Sequence, residues 1–321
     1  MSSPETGAAG ARALRHFSRD EIMAIDPVLV ADTMAACLAM VSRGAAVAPI
    51  RGHIDLGDGA GTFLISGALT ELDILTVKVI NVRPRNPAAG LERLQGSLTA
   101  FESSTGLPLA TLDARAATEA RTSACSAVSL RLMARADARV LAIFGTGPQA
   151  AAHLRAMTAE RDFDEIRIVG RNQEAARRLA ASLPSARAVT PGEATKGAGV
   201  VVGATNATSA LFPSAAVEPG THLALVGSGS AAASEVEPQL LARAAAIRVD
   251  HRPSCLEEAG EIVSALRAGL IDEEAIRELG EVILGRAAGR SSPDDITIYK
   301  SVGNGTQDAA LAALLLGIAF P

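Results

Sequence analysis

The hexapeptide Gly145-Thr146-Gly147-Pro148-Gln149-Ala150 fits the pattern G-x-G-x-x-G/A, and its surroundings give the pattern weight. An apolar run, Val140 to Phe144, enters it, an alanine-rich amphipathic stretch leaves it, and another short apolar segment follows ~20 residues later. Each position has a physical reason. Gly145 permits the tight turn, Gly147 lets backbone approach a pyrophosphate, and Ala150 allows close packing of helix on strand. The helix start then offers free N–H groups and partial positive charge to phosphates. The competing reading is a plain strand-to-helix turn with incidental glycines.

The end of the second strand of this unit reads Ile168-Val169-Gly170-Arg171-Asn172. Sites selective for NAD carry an acid here, which holds a ribose hydroxyl and would repel a 2′-phosphate. A guanidinium pairs with such a phosphate instead. Arg171 and Asn172 are therefore expected at the cofactor, and NADP(H) is favoured over NAD(H). The alternative for Arg171 is a solvated arginine at a helix start.

These residues need a scaffold. Ser18-Arg19-Asp20-Glu21 fits a capping box and predicts a helix from about Arg19; a second helix is expected over 27–43. Segments 62–69 and 73–84 read as strands, and 96–113 as a hairpin. The first part of the chain is thus α+β. A long helical stretch from Thr118 follows, and then strict alternation: strands at 140–144, 165–169, 188–190, 200–203, 222–226 and 247–250, with helices between. Short apolar runs separated by helices mean parallel strands covered on both faces. The segment from Asp294 breaks this alternation and is expected to leave the nucleotide unit and pack back on the first domain. The fold class is α/β, a Rossmann doubly wound parallel sheet (119–295) inserted into an α+β dimerisation and substrate domain (1–118 plus 296–321).

Composition narrows the function. The chain has 321 residues, 48% hydrophobic and 2% aromatic, with net charge −5. With neither a basic stripe nor a stacking platform, nucleic acid is not expected as a partner. Cys37, Cys125 and Cys255 are far apart and read as buried free thiols. His16, His53, His153, His222 and His251 show no metal-ligand spacing, so no metal is expected. The N-terminal stretch lacks the apolar core of a signal peptide and reads as a frayed tail. The apolar run 309–320 is too short to span a bilayer, which needs about 20 residues. It is expected to bury against another domain or subunit. A soluble cytoplasmic protein follows from these readings.

Five stretches together, "ARTSACSAVSLRLMAR", "IFGTGPQAAAHLRAM", "IVGRN", "LVGSGSAAASEVEP" and "DDITIYKSVGNGTQD", resemble the ornithine cyclodeaminase/mu-crystallin family in order and spacing. The resemblance implies the inserted Rossmann domain, a homodimer, and an amino or imino acid held beside a nicotinamide. It implies a clamp for the substrate carboxylate made of Arg51, Lys78 and Arg121, two guanidiniums and one ammonium from separate segments. Lys78 interrupts an apolar strand, where an unpaired ammonium would be costly. Cofactor contacts carry over to Pro148, Gln149, Thr205, Val226, Gly227, Ser228 and Ser301, and a substrate contact to Val302. Asp308 opens the last helix, where an acid favours the helix dipole; capping is its first expected role, orienting a substrate amine the second.

The sequence also departs from the cyclodeaminase pattern. Gly229 stands where the resemblance implies a carboxylate for proton transfer, and no acid flanks it. Ala233 stands where a cofactor-contacting lysine is implied, and Arg93 replaces a threonine. No carboxylate is evident near Ile65. Deaminating cyclisation needs an acid/base that is missing here. Reduction of a preformed imine needs a held carboxylate, a hydride donor and one proton, for which Lys78 is nominated. The expected function is NADPH-dependent reduction of a small ketimine carboxylate, such as Δ1-pyrroline-2-carboxylate, to the L-amino acid. A cyclodeaminase-type lyase using bound NAD and a nucleotide-gated small-ligand binder are the rivals. With one Tyr and no Trp, the pocket is expected to be small and aliphatic.

Overall fold

The computed structural model describes residues 14–227 and 229–320 and contains two sheets. The first is mixed: β1 (Arg15–Phe17), β2 (Ala46–Val47), β3 (Gly52–Gly57), β4 (Ala60–Leu69), β5 (Ile74–Val82), β6 (Leu94–Glu102) and β7 (Pro108–Asp113). Its order is β1-β7-β6-β5-β4-β2, with β3 paired to β4. Only the β1–β7 pairing is parallel. The tail expected before Phe17 therefore ends in an edge strand, while residues 1–13 lie outside the described part.

The second sheet is parallel throughout: β8 (Val140–Phe144), β9 (Glu165–Val169), β10 (Ala186–Ala188), β11 (Val200–Gly203), β12 (His222–Leu225), β13 (Ala246–Val249), β14 (Ile276–Glu278) and β15 (Thr297–Lys300). Its order is β10-β9-β8-β11-β12-β15-β13-β14. The chain reverses its direction of progress between β8 and β11. In open sheets of this kind ligands bind outside the carboxyl ends of the strands at that switch point. The glycine turn after β8 lies there.

One boundary differs from expectation. The segment after residue 296 was expected outside the nucleotide unit, but β15 fills the gap between β12 and β13, with Thr297 paired to His222 on one side and Ala246 on the other. The chain leaves this sheet only after Lys300. A four-residue buried run does not by itself distinguish a returning central strand from an excursion.

The helices are α1 (Arg19–Met23), α2 (Pro27–Ser42), α3 (Ala114–Met133), α4 (Pro148–Glu160), α5 (Gln173–Ala180), α6 (Pro191–Ala194), α7 (Pro238–Arg243), α8 (Arg252–Glu258), α9 (Gly260–Arg267), α10 (Leu279–Ile283) and α11 (Gly305–Leu316). The predicted capping box forms at Ser18 and Glu21. Asp113 caps α3 by accepting from Ala116 N at 2.7 Å. Helix α3 runs between the two sheets and is buried along most of its length. Its serines reach core imidazoles: Ser126 Oγ lies 3.0 Å from His153 Nε2, and Ser129 Oγ 3.0 Å from His222 Nε2. Burial pushes these histidines down to about 4 and about 3, so both are neutral core groups. All three cysteines are buried and free.

Helix α11 packs on α2, α3, β4 and β5 of its own chain, and Ala309–Ala313 are fully buried. The expected burial against another domain is thus met within one chain. Its entry depends on a contact between two glycines. A Cβ on Gly67 of β4 would overlap the Gly305–Thr306 backbone, and one on Gly305 would overlap Ser66. This close approach sets the first turn of α11 directly on β4 and beside β5, where Thr76 Oγ1 donates to Gly305 O at 3.0 Å. No described helix is long and apolar enough to cross a membrane.

Candidate active site

The glycine turn has the features a dinucleotide pyrophosphate requires. Gly145 has φ +129°, and its N–H donates to Val169 O at 2.8 Å, pulling the turn onto the end of β9. A Cβ there would overlap Ala204 O and press on the Ala150 methyl. A Cβ on Gly147 would meet nothing within 4 Å, so the space above it is open. Gly147 is the N-cap of α4 and no side chain caps this helix, which leaves its first N–H groups available to an anion. Pro148 sits at the first helical position, and Thr146 packs against Gly170. Gln149 donates from Nε2 to Thr118 O at 3.3 Å, while its buried Oε1 has no hydrogen-bond partner.

At the end of β9 Arg171 is exposed and forms no ion pair or hydrogen bond among the described residues. Asn172 caps α5: its Oδ1 accepts from Glu174 N at 3.0 Å and Ala175 N at 3.1 Å. Beyond β11 and β12, Thr205 and Gly227 are tied to the buried Glu235. Its Oε1 accepts from Thr205 N (3.0 Å) and Oγ1 (2.7 Å), and its Oε2 from Gly227 N (2.8 Å). The Thr205 hydroxyl thus points to Glu235. Val226 N donates to Gly203 O. Ser301 is buried and donates to Asp250 Oδ2 at 2.8 Å. Ser228 lies outside the described residues.

Arg51, Lys78 and Arg121 come from three segments and meet on one, residues 302–308. Arg51, just before β3, donates from Nη1 to Val302 O at 3.4 Å and from Nη2 to Gly229 O. Arg121, on α3, donates from Nη1 to Gln307 Oε1 at 2.6 Å, and its guanidinium fills the space that a side chain at Gly303 would occupy. Lys78, on the inner face of β5, donates to Asp308 Oδ1 at 2.8 Å and Thr118 Oγ1 at 3.2 Å, with Asp308 Oδ2 at 2.7 Å. Arg121 Nε stands 3.6 Å from Asp308 Oδ1.

Capping, the first role expected of Asp308, is filled by another residue, although Asp308 does lie in the first turn of α11. Asn304 caps α11, its Oδ1 accepting from Thr306 N at 3.0 Å. Asp308 lies further into the first turn, fully buried, and faces the two cations. Burial lowers Lys78 to about 8; the Asp308 carboxylate opposes that shift, and the Arg121 charge adds to it.

Sequence reasoning missed the residues that orient this cluster. Asp250, directly after β13, accepts at Oδ2 from Ser301 Oγ, from Gly303 N at 2.8 Å and from Gln307 Nε2 at 2.9 Å. A carboxylate only accepts, so the Gln307 amide must turn its NH2 to Asp250 and its oxygen to Arg121. A polar residue closing an apolar run was the available signal. The absence of an acid beside Gly229 holds only along the sequence. In space, Glu258 at the end of α8 contacts the same Arg51 guanidinium that bonds Gly229 O, with Nε–Oε1 at 3.1 Å and Nη2–Oε2 at 2.9 Å. Burial raises the Glu258 carboxyl above its ordinary value, while Arg51 opposes that shift.

Fold and glycine turn define the class: a Rossmann-type dinucleotide-binding protein with a second, mixed-sheet domain against the mouth of its cleft. Residues 6–317 match the ornithine cyclodeaminase/mu-crystallin family, and the chain belongs to it. A Δ1-pyrroline-2-carboxylate reductase of Bacillus cereus is 33% identical over 84% of this chain and 85% of its own length. Among solved structures, the Δ1-pyrroline-2-carboxylate reductase of Thermococcus litoralis in complex with NADH and L-proline superposes with a TM-score of 0.89 at 27% identity, covering 95% of this chain and 99% of that one. An archaeal alanine dehydrogenase dimer with bound NAD gives 0.87 at 26% identity, covering 95% and 98%.

Proposed function

We propose that this protein is an NADPH-dependent reductase of a small ketimine carboxylate, of the size of Δ1-pyrroline-2-carboxylate, forming the L-amino acid. The coarser part stands on its relatives: the protein is an NAD(P)-dependent oxidoreductase acting on the C=N bond of an imino acid. The observation that carries the finer reading is the convergence of Arg51, Lys78 and Arg121 on residues 302–308, beside the carboxyl edge of the parallel sheet.

The glycine turn at residues 145–150 would hold the dinucleotide, whose nicotinamide would supply the hydride for the imine carbon. The chain's own residues do the rest. Among the described residues Arg121 keeps Nη2 and one Nη1 hydrogen uncommitted, and it is the main holder of the substrate carboxylate. Arg51 adds a second guanidinium from the Gly229 side. Lys78, lowered to about 8, is charged at neutral pH yet close to giving up its proton, and it supplies the proton to the imine nitrogen. Asp308 holds that ammonium in place and stabilises it. Among the described residues no carboxylate free of a cation partner stands at Gly229, which supports reduction over the ammonia-releasing cyclisation.

The cofactor preference rests on Arg171. A guanidinium unpaired among the described residues, at the end of β9 where Gly170 and Arg171 stand in place of an acid, suits a 2′-phosphate. Arg171→Ser should raise the KM for NADPH about tenfold and leave that for NADH unchanged, the size of one charge-assisted contact. A homodimer is also proposed, on grounds other than the C-terminal helix. Ile54, Leu56, Leu64 and Val77 are exposed on the outer face of the mixed sheet, away from Lys78, and form an apolar patch suited to a second copy.

The test follows reduced-cofactor absorbance with Δ1-pyrroline-2-carboxylate and Δ1-piperideine-2-carboxylate, each with NADPH and with NADH. Turnover above that of Lys78→Ala is expected with NADPH preferred. Ammonia released from ornithine at catalytic NAD would replace this reading with the lyase.

A further inference from the structure

We infer that Glu258 is a positioning residue for Arg51, reaching from the nucleotide domain to hold the guanidinium by one edge so that its other edge is presented to the substrate's acid group. The inference rests on the proposed role of Arg51 in carboxylate binding.

The donor inventory of Arg51 carries it. A guanidinium has one side-on edge, Nε with Nη2, and one end-on edge, Nη1 with Nη2. Glu258 takes the side-on edge: Nε donates to Oε1 at 3.1 Å, while Oε2 stands 2.9 Å from Nη2 as an ion-pair contact without hydrogen-bond geometry. The end-on edge points to Val302 O and Gly229 O, neutral carbonyls at the carboxyl ends of β15 and β12. The Val302 contact is long, at 3.4 Å, and a second Nη1 hydrogen has no acceptor among the described residues. A carboxylate arriving from the cleft is a stronger acceptor than either carbonyl and can take this edge while Glu258 keeps the other.

Two further contacts fix the plane. The Phe63 ring lies 5.0 Å from the Arg51 guanidinium carbon, and His53 stacks on Phe63 at 4.6 Å between centroids. A Cβ on Gly229 would stand 3.0 Å from Arg51 Nη2, so the lack of a side chain there leaves room for the guanidinium. Arg51 precedes β3 of the first domain, and Glu258 ends α8 of the second. The pair therefore completes the clamp only when the two domains are packed together as seen here.

The experiment compares Glu258→Gln, Arg51→Met and the double variant. It reads KM and kcat for Δ1-pyrroline-2-carboxylate, and it measures NADPH affinity and the melting temperature separately. Glu258→Gln keeps the shape but sets an NH2 group against a guanidinium edge. We expect KM to rise about tenfold with kcat changed less than threefold, the scale of one charge-assisted hydrogen bond. NADPH affinity and melting temperature should stay put, and the double variant should be no worse than Arg51→Met alone. Glu258→Asp, which keeps the charge, should recover part of the loss. An Arg51→Met variant with raised KM beside an unaffected or tighter-binding Glu258→Gln overturns the brace while leaving the clamp intact, as do additive effects in the double variant. An unchanged KM in Arg51→Met removes Arg51 from the clamp and the brace with it.

Discussion

Two buried lysines in this molecule are built alike and placed differently. Lys78 stands on β5 of the mixed sheet against Asp308 of α11; Lys300 ends β15 of the parallel sheet against Glu261 of α9, at 3.2 Å. All four side chains are almost wholly shielded from water. The neighbours separate the pairs. Beside Lys300, Glu235 gives both oxygens to Thr205 and Gly227 and so ties the ends of two strands. Beside Lys78, Arg121 has a single hydrogen-bond acceptor among the described residues, Gln307, and retains donors. Burial of charge alone therefore does not mark a reactive site. What marks it is donor capacity left over after the fold has taken its share.

The comparison is broken most directly at Lys78. Lys78→Ala should lower kcat for imine reduction by roughly 10²–10⁴-fold, the range for loss of a positioned proton donor, while NADPH binding measured by fluorescence titration is retained. Loss of cofactor binding in step with activity would place Lys78 among structural groups, as Lys300 is placed here. Next in size is Arg121→Lys. A point charge cannot reproduce the fork that meets both Gln307 and a carboxylate, so KM should rise about 30-fold with kcat less affected. Recovery of normal KM by lysine would mean that charge, rather than geometry, is what position 121 provides.

At the other pair the expected readout is stability. Glu261→Gln removes a buried carboxylate that faces Lys300 in a site closed to water, a change costing about 3–5 kcal/mol. That should lower the melting temperature by roughly 5–15 °C and leave KM for the imine near its normal value at 25 °C. A raised KM in a fully folded Glu261→Gln sample would join the two clusters into one site.

Much of this arrangement was legible beforehand because it depends on local patterns. Strand–helix alternation from 140 to 250 follows from periodicity, and the glycine turn from the steric needs of a tight approach to phosphate. Lys78 announced itself as a cation within an apolar strand, a place where a partner is obligatory. The partner was harder to read. Asp308 looked like a helix-start acid because Asn304 and Asp308 both lie near the start of α11, and only the Gly67–Gly305 contact shows which one faces β5. Glu258 and Asp250 reach their targets through tertiary packing, with Glu258 lying 207 positions from Arg51, so sequence spacing carries no trace of them. β15 was misplaced for a similar reason: its neighbours in the sheet are β12 and β13, neither adjacent to it along the chain.

The smallest expected effect is also the most discriminating between the two lysines, because it reads proton affinity directly. The Lys78 ammonium titrates at about 8, below its ordinary value, because burial outweighs the carboxylate at Asp308. In the proposed reaction its protonated form is the proton donor. The rate of imine reduction should accordingly be level below pH 8 and fall as pH rises through that value. Asp308→Asn keeps the volume and removes the negative charge that favours the ammonium, so the break should move to lower pH by about one unit. The sign is fixed: removing a charge that raises the lysine's affinity for protons lowers that affinity. Glu261→Gln serves as the control, because it alters the Lys300 pair and leaves Asp308 in place; its break should stay near 8. Any titration of the imine itself is common to all three proteins and cancels in the comparison. A break that moves upward in Asp308→Asn, or that moves equally in both variants, would show that the titrating group is not the lysine on β5.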